Sequence, residues 1–173
     1  MTAPVASAAG LRRPRVGFLG VGWIGRHRME AALATGQIEA AGVADPSPEP
    51  REAALRLAPD AVAAASIQDL LALDLDGLVI ATPSALHAPQ SIAALDAGLA
   101  VFCQKPLGRD AAEAAAVVEA ARRADRLLAV DLSYRFTSGM QAIRRLIRGG
   151  ELGKVFAADL VFHNAYGPDK PWF

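Results

Sequence analysis

Apolar positions along the chain gather into short runs, and the segments between them carry a helical period. The runs RVGFLG (15–20), IEAAGVA (38–44), a short one at 61–64, GLVIA (77–81), LAVFC (99–103) and RLLAVDL (126–132) predict strands. Helical patterns cover 23–35, 48–57, a turn or two ending near Leu73, 84–97 and 110–125. The helix at 110–125 has Asp110 as its N-cap and Glu113 three residues later, a capping-box arrangement, and AAEAAAVVEAARRA is built almost wholly of strong helix formers. Strand and helix alternating in this way predict parallel strands joined by crossover helices. The expected fold class is therefore α/β, a doubly wound parallel sheet.

Between the first strand and the first helix stands Gly20-Val21-Gly22-Trp23-Ile24-Gly25. A lone GxGxxG is weak, but here it follows a strand and opens a helix inside a βαβ unit, the context that a dinucleotide fingerprint requires. The three glycines serve different ends. Gly20 permits the sharp exit from the strand, Gly22 lets the backbone approach a pyrophosphate, and Gly25 lets the helix lie close to the sheet. Trp23 and Ile24 fall at the helix start, where unpaired N–H groups face the phosphates, and join the expected cofactor-binding set. Asp45 ends the second strand, 20 residues after Gly25. A carboxylate there can accept bonds from both adenosine ribose hydroxyls and repels a 2′-phosphate, and no arginine occupies 46–48, so the expected cofactor is NAD rather than NADP.

Composition narrows the field. Lys+Arg and Asp+Glu both number 18, and this balance leaves no basic excess for nucleic acid or an anionic membrane surface. No apolar run approaches the roughly 20 residues of a membrane span. Arg12-Arg13 ahead of VGFLGVGWIG faintly resemble a twin-arginine leader, but the run is broken by glycines and followed by Arg26-His27-Arg28, with no small-residue cleavage site. One cysteine, Cys103, allows no internal disulfide, in keeping with a reducing, cytoplasmic setting; at a strand end it reads as a small buried hydrophobe. No His/Cys/Asp cluster has metal-ligand spacing, so no metal is expected.

Two further stretches carry chemistry: ATPSALHAPQSIAALDAGLAVFCQKPLGRD and LSYRFTSGMQAIRRLIRGGELGKVFAADLVFH. The ordered set GxGxxG, D-P, T-P-x-x-x-H, x-K-P, Y-R-F and G-x-x-G-K-V resembles the N-terminal half of the glucose–fructose oxidoreductase / inositol dehydrogenase (Gfo/Idh/MocA) family, from about residue 13 onward. The resemblance implies an NAD(P)-dependent oxidoreductase that moves a hydride between a nicotinamide and a sugar, polyol or cyclitol. It implies that Thr82, Pro83 and His87 border the cofactor, with His87 near the ribose and pyrophosphate. It places Lys105 beside nicotinamide and substrate as the catalytic residue, where an ammonium can polarise a substrate oxygen, and it suggests a cis Lys105-Pro106 bond that aims the lysine inward. The family usually has Glu-Lys-Pro; Gln104 keeps hydrogen-bonding capacity but removes the charge beside Lys105. Tyr134 and Arg135 fall near the substrate pocket at the domain junction, with bracing the favoured role of Arg135.

The implied organisation is a disordered tail over 1–12, a dinucleotide-binding domain over 13–133, a linking helix over 134–150 and, over 151–173, the truncated start of a second α+β domain. In the family that domain covers the active site, usually mediates homo-oligomerisation and carries a D-x-x-x-H pair; His163, although Asp159 stands four residues earlier, falls at the end of the expected terminal strand and is not expected to replace it. KVFAADLVFH (154–163) is expected as its first strand, weakly held without partners. Two non-catalytic alternatives are a dinucleotide-binding module that senses cofactor or pairs with another chain, and an inactive fragment.

Overall fold

The computed structural model describes residues 12–161 and residue 163. The expected tail lies, apart from Arg12, outside the described residues. Two compact units divide at residue 130, and each is described by itself.

The first unit is built around strands β1 (Arg15–Leu19), β2 (Glu39–Ala44), β3 (Val62–Ala64), β4 (Gly77–Ile80), β5 (Ala100–Gln104) and β6 (Leu128–Asp131). Its helices are α1 (Trp23–Ala34), α2 (Pro48–Leu55), α3 (Ile67–Leu71), α4 (His87–Asp96) and α5 (Ala111–Ala124). The sheet order is β3-β2-β1-β4-β5-β6. The pairs β2·β3, β1·β2, β1·β4 and β4·β5 are parallel. The chain winds outward from β1 to β3, then returns to β4 on the other side of β1. That reversal opens a crevice at the C-terminal ends of β1 and β4, where ligands bind in open α/β sheets.

Side chains alternate across the sheet, as the period of a strand demands. Leu19, Leu78, Ile80, Val101 and Cys103 enter one core with Leu95 of α4 and Val117 of α5. Phe18 and Val43 enter the other, with Met29 of α1 and Ala54 of α2. Local signals set the helix starts. Pro48 sits at the first position of α2. Ser66 Oγ accepts from Asp69 N at 3.2 Å to cap α3. Asp110 Oδ1 accepts from Glu113 N at 2.8 Å. The return half of the expected capping box is shifted, since Glu113 Oε2 accepts from the Arg109 amide at 2.8 Å rather than from that of Asp110. Gly108 allows this: a Cβ there would lie 2.7 Å from Glu113 Cβ, so the loop presses directly on the first turn of α5. The helix expected over 84–97 begins as a 3-10 turn, Ser84–Leu86, before α4.

The second unit opens with a 3-10 turn, Ser133–Phe136, followed by α6 (Ser138–Arg148). The strand expected over 154–163 is not formed in the described residues, and 154–161 are exposed. Extended chain becomes a strand only when its N–H and C=O groups meet a neighbour's, and no ladder reaches these residues among those described. Phe162 and residues 164–173 lie outside the described residues.

At the edge of the sheet opposite the crevice, one carboxylate ties β1 to β4. Asp76 accepts from both terminal nitrogens of Arg12 at 2.7 Å and from the Arg15 amide at 2.7 Å. The Arg12 guanidinium, and then the Arg15 amide, hold the Asp76 carboxyl below the usual carboxylate range. A lowered folded-state value means that ionised Asp76 stabilises the fold above the ordinary carboxylate pKa, and that this contribution is lost as pH falls through the folded value. Asp76→Asn is therefore expected to flatten the fall of the urea midpoint between about pH 5 and 2 while lowering the midpoint at neutral pH. An unchanged acid limb in the variant would remove Asp76 from this role.

Candidate functional site

Three glycines shape the crevice, each by a different constraint. Gly20, at the end of β1, has φ +79°. A Cβ there would lie 2.7 Å from Thr82 N, so the residue must be glycine for β1 to pass so close to the end of β4. A Cβ on Gly25 would stand 1.9 Å from Gly20 O, so Gly25 sets the contact between α1 and the loop. Gly22 is the opposite case. It caps α1 with no side-chain hydrogen bond, no acidic residue lies in the first turn, and a Cβ there would meet nothing within 4 Å. The fold itself does not demand glycine at this point; an approaching ligand would. The uncapped start of α1 faces that open space, and its N–H groups with the positive end of the helix suit a pyrophosphate.

Asp45 lies just past β2 and is 8% exposed. Its Oδ2 accepts from Val21 N at 2.9 Å and its Oδ1 from Ser47 N at 2.9 Å. The carboxylate expected for a ribose is therefore also the strut that holds the middle of the glycine loop. Each oxygen keeps a further acceptor site, so the two roles are compatible. No sequence signal announced the strut: Val21 and Asp45 are 24 residues apart and meet only through the β1·β2 register. Arg51, reaching back from α2, donates to Asp45 O at 2.8 Å, a neighbour that sequence reasoning missed.

On the far side of the crevice, Thr82 follows β4 and its Oγ1 lies 2.6 Å from Gln90 Oε1. Pro83 is exposed and introduces the 3-10 turn. His87, the first residue of α4, is 1% exposed. Its Nδ1 lies 2.6 Å from Pro106 O and its Nε2 2.7 Å from Thr82 O. One ring thus spans the loop after β4 and the loop after β5. A neutral imidazole offers a single N–H to these two acceptors, and a ring carrying both protons serves both.

Gln104 ends β5 and Lys105 follows it at the same sheet edge. The Lys105-Pro106 bond is cis, as expected. The Lys105 amide donates to Gln104 Oε1 at 2.8 Å, and Lys105 is exposed. Cys103 is fully buried, and burial pushes its thiol up to about 11, which suits a packing residue rather than a nucleophile. Trp23 is 70% exposed at the head of α1 and sets its ring edge-on to His27, 5.5 Å between centroids; Ile24 is half-buried. The structure thus brings Gly20, Gly22, Trp23, Ile24, Gly25, Asp45, Thr82, Pro83, His87, Gln104 and Lys105 to one edge of the sheet. Tyr134 and Arg135 belong to the second unit, in its exposed 3-10 turn, where Arg135 O accepts from Gln141 Nε2 at 2.6 Å. Among the described residues no three His, Cys, Asp or Glu side chains converge as a metal site, and no helix is long and apolar enough to cross a membrane.

Residues 14–132 match the family model described as an oxidoreductase family with an NAD-binding Rossmann fold, GFO_IDH_MocA. Inositol 2-dehydrogenase of Corynebacterium glutamicum is 31% identical over 144 residues, 82% of this chain and 43% of that protein. The rhizopine catabolism protein MocA of Rhizobium meliloti is 32% identical over 148 residues, 84% of this chain and 46% of that protein. The WlbA dehydrogenase of Bordetella pertussis, solved with NADH and UDP-GlcNAcA, superposes with a TM-score of 0.77 at 30% identity, covering 84% of this chain and 42% of that one. The chain spans less than half the length of each of these relatives.

The contrast between the glycines yields a test. Gly22→Val is expected to keep the fold, with thermal melting little changed, and to weaken NADH binding by at least about a hundredfold, roughly 3 kcal/mol. Gly25→Ala is expected to damage the fold itself. Unchanged NADH affinity in a folded Gly22→Val protein would detach the glycine loop from cofactor binding.

Proposed function

We propose a role that starts from one established point: the chain belongs to the Gfo/Idh/MocA oxidoreductase family, whose matched domain is NAD-binding. The proposed function is to hold NAD(H) across the C-terminal ends of β1, β2, β4 and β5 for reversible oxidation of a sugar, polyol or cyclitol hydroxyl. The observation that carries it is the open start of α1. Gly22 leaves room that the fold does not use, beside unpaired first-turn amides and a carboxylate fixed at the end of β2.

In this reading the backbone of Gly22, Trp23 and Ile24 would receive the pyrophosphate, and the free acceptor sites of Asp45 the adenosine ribose. Bound NAD would supply the hydride-accepting nicotinamide. Lys105 would hold its ammonium toward the substrate oxygen and stabilise negative charge there. His87, with both ring nitrogens turned to backbone carbonyls, is a positioning residue in this account. It ties the loop bearing Lys105 to the loop after β4. Thr82 and Pro83 would form the wall beside the cofactor, and Gln104 would orient the Lys105 backbone through its own side chain. Tyr134 and Arg135 stand as proposed substrate-side residues on the family resemblance alone. The proposed setting is cytoplasmic, with a small-molecule substrate and assembly into homo-oligomers.

A second reading is a dinucleotide-binding module that senses the cofactor or pairs with another chain, favoured by the matched family domain being described by NAD binding. Two measurements separate the readings. Titration of the chain with NADH, followed by fluorescence, is expected to saturate in both; no binding would overturn both. Absorbance at 340 nm with NAD and a panel of cyclitols and sugars is expected to rise for the oxidoreductase and stay flat for the module. In any form of the protein that turns over, Lys105→Met is expected to lower kcat by about a hundredfold or more while NADH affinity moves less than about threefold. Full turnover in that variant would remove Lys105 from the chemistry.

A further inference from the structure

The second unit holds a broad apolar surface against water. At 3.6 residues per turn, Gly139, Met140, Ala142, Ile143, Leu146 and Ile147 fall on one side of α6, and Gln141, Arg144, Arg145 and Arg148 on the other. No residue of α6 is buried, and Met140, Ile143, Leu146 and Ile147 are all exposed. The turn before the helix adds Tyr134 and Phe136, 68% and 74% exposed, and the chain after it adds Leu152, Phe156 and Leu160. A helix of 11 residues is marginal by itself in water, so its stability depends on covering that apolar side. The three aromatic rings offer roughly 400 Å² of accessible surface. The exposed aliphatic side chains bring the total to about the 800 Å² that each partner gives to a standard interface, more than a monomer commonly leaves in water.

Gly139 indicates what that side receives. It stands in the first turn of α6, where glycine weakens a helix relative to alanine. Its φ is not positive, and a Cβ there would meet nothing within 4 Å, so nothing among the described residues calls for glycine. Ile143 is the middle residue of α6 and also lies near the middle of the apolar side. A two-fold axis passing Ile143, with two copies of α6 antiparallel, sets Gly139 opposite the partner's Ile147 and Met140 opposite the partner's Leu146. The space left at Gly139 then takes a large side chain, and the helices can approach closely. Charge selects the direction. The three arginines of α6 all lie in its C-terminal half, and 132–150 holds no Asp or Glu to offset them. Parallel helices would set these cations side by side; antiparallel helices set each trio beside the uncharged start of the other.

We propose that the apolar side of α6 is a homodimer interface, in which two copies of the chain pair their α6 helices antiparallel about Ile143 and each Gly139 receives the partner's Ile147. This gives the homo-oligomer of the reading above a specific surface and rests on that part of it alone; the glycine loop and Lys105 play no part.

The test is sedimentation equilibrium of the full chain over a range of concentrations. The wild type is expected to be dimeric at about 50 µM and to dissociate on dilution toward the 18.0 kDa monomer. Gly139→Leu is expected to raise the dimer dissociation constant about thirtyfold or more while circular dichroism shows helix content equal or higher, since leucine is the better helix former. Adding Ile147→Ala to that variant empties the space opposite and is expected to recover about tenfold of the loss. Mild oxidation is expected to link chains carrying Ile143→Cys and to spare those carrying Met140→Cys, whose two copies stand too far apart in antiparallel helices. A dimer that does not bind NADH would support this proposal while bringing down the cofactor reading. A chain that stays monomeric at about 500 µM would overturn the proposal, and if that monomer also sediments with phosphatidylglycerol vesicles the apolar side is a lipid-binding one. An unchanged dissociation constant in Gly139→Leu, or cross-linking through Met140→Cys, would equally overturn it.

Discussion

The hydrogen bond from the Val21 amide to Asp45 Oδ2 is the constraint on which the site depends. Val21 is fully buried between two glycines, and a loop of that composition has many conformations to lose. A buried carboxylate gripping its central amide selects one of them. The bond is charge-assisted and shielded from water, and it ties the ends of β1 and β2 together. Gly20 N adds a second tie, to Ala44 O at 2.8 Å. With the loop so fixed, Gly25 can meet Gly20, α1 can start directly over the sheet edge, and Gly22 is left as the one glycine of the motif facing open space. A fold that commits a buried carboxylate to holding a loop open has a ligand-shaped consequence.

The other wall of the crevice follows the same logic with a different group. His87 joins Pro106 O to Thr82 O, and so couples two loops that the chain separates by an entire helix and strand. Each side of the crevice is thus set by one buried polar side chain acting on backbone atoms. Such arrangements are sensitive to the loss of a single partner, because the carbonyl or amide left behind stays buried and unpaired. They also keep the proposed reacting side chain separate from the bracing ones: Lys105 is exposed at the rim, and the groups that hold its loop lie beneath.

Most of the architecture was legible in the sequence because it rests on local periods and on glycine spacing. Strands ending in Leu19, Ala44, Ile80 and Gln104 and the cap at Asp110 follow from rules that act over a few residues. The candidate residues at strand ends share one edge for the same reason, since a parallel sheet carries every such end there. What stayed hidden was pairing across the chain. That Asp45 holds Val21, that His87 turns both nitrogens to carbonyls, and that Arg51 folds back over its own turn all depend on register and rotamer, which no local pattern encodes. The strand expected at 154–163 failed for a related reason. Alternation identifies a segment suited to a sheet, but only a neighbouring strand makes it one, and none reaches 154–161 among the described residues.

The central claim is that the glycine loop, fixed by Asp45, receives the pyrophosphate on the amides that begin α1. Amide NMR of the isotopically labelled chain during NADH titration addresses this most directly. The expected result is that the largest saturable shifts fall on Gly22, Trp23 and Ile24, while the Val21 amide, already bonded to Asp45, keeps its slow hydrogen exchange with and without ligand. Shifts centred elsewhere on the sheet, or a Val21 amide that exchanges as fast as an open loop before NADH is added, would contradict the account.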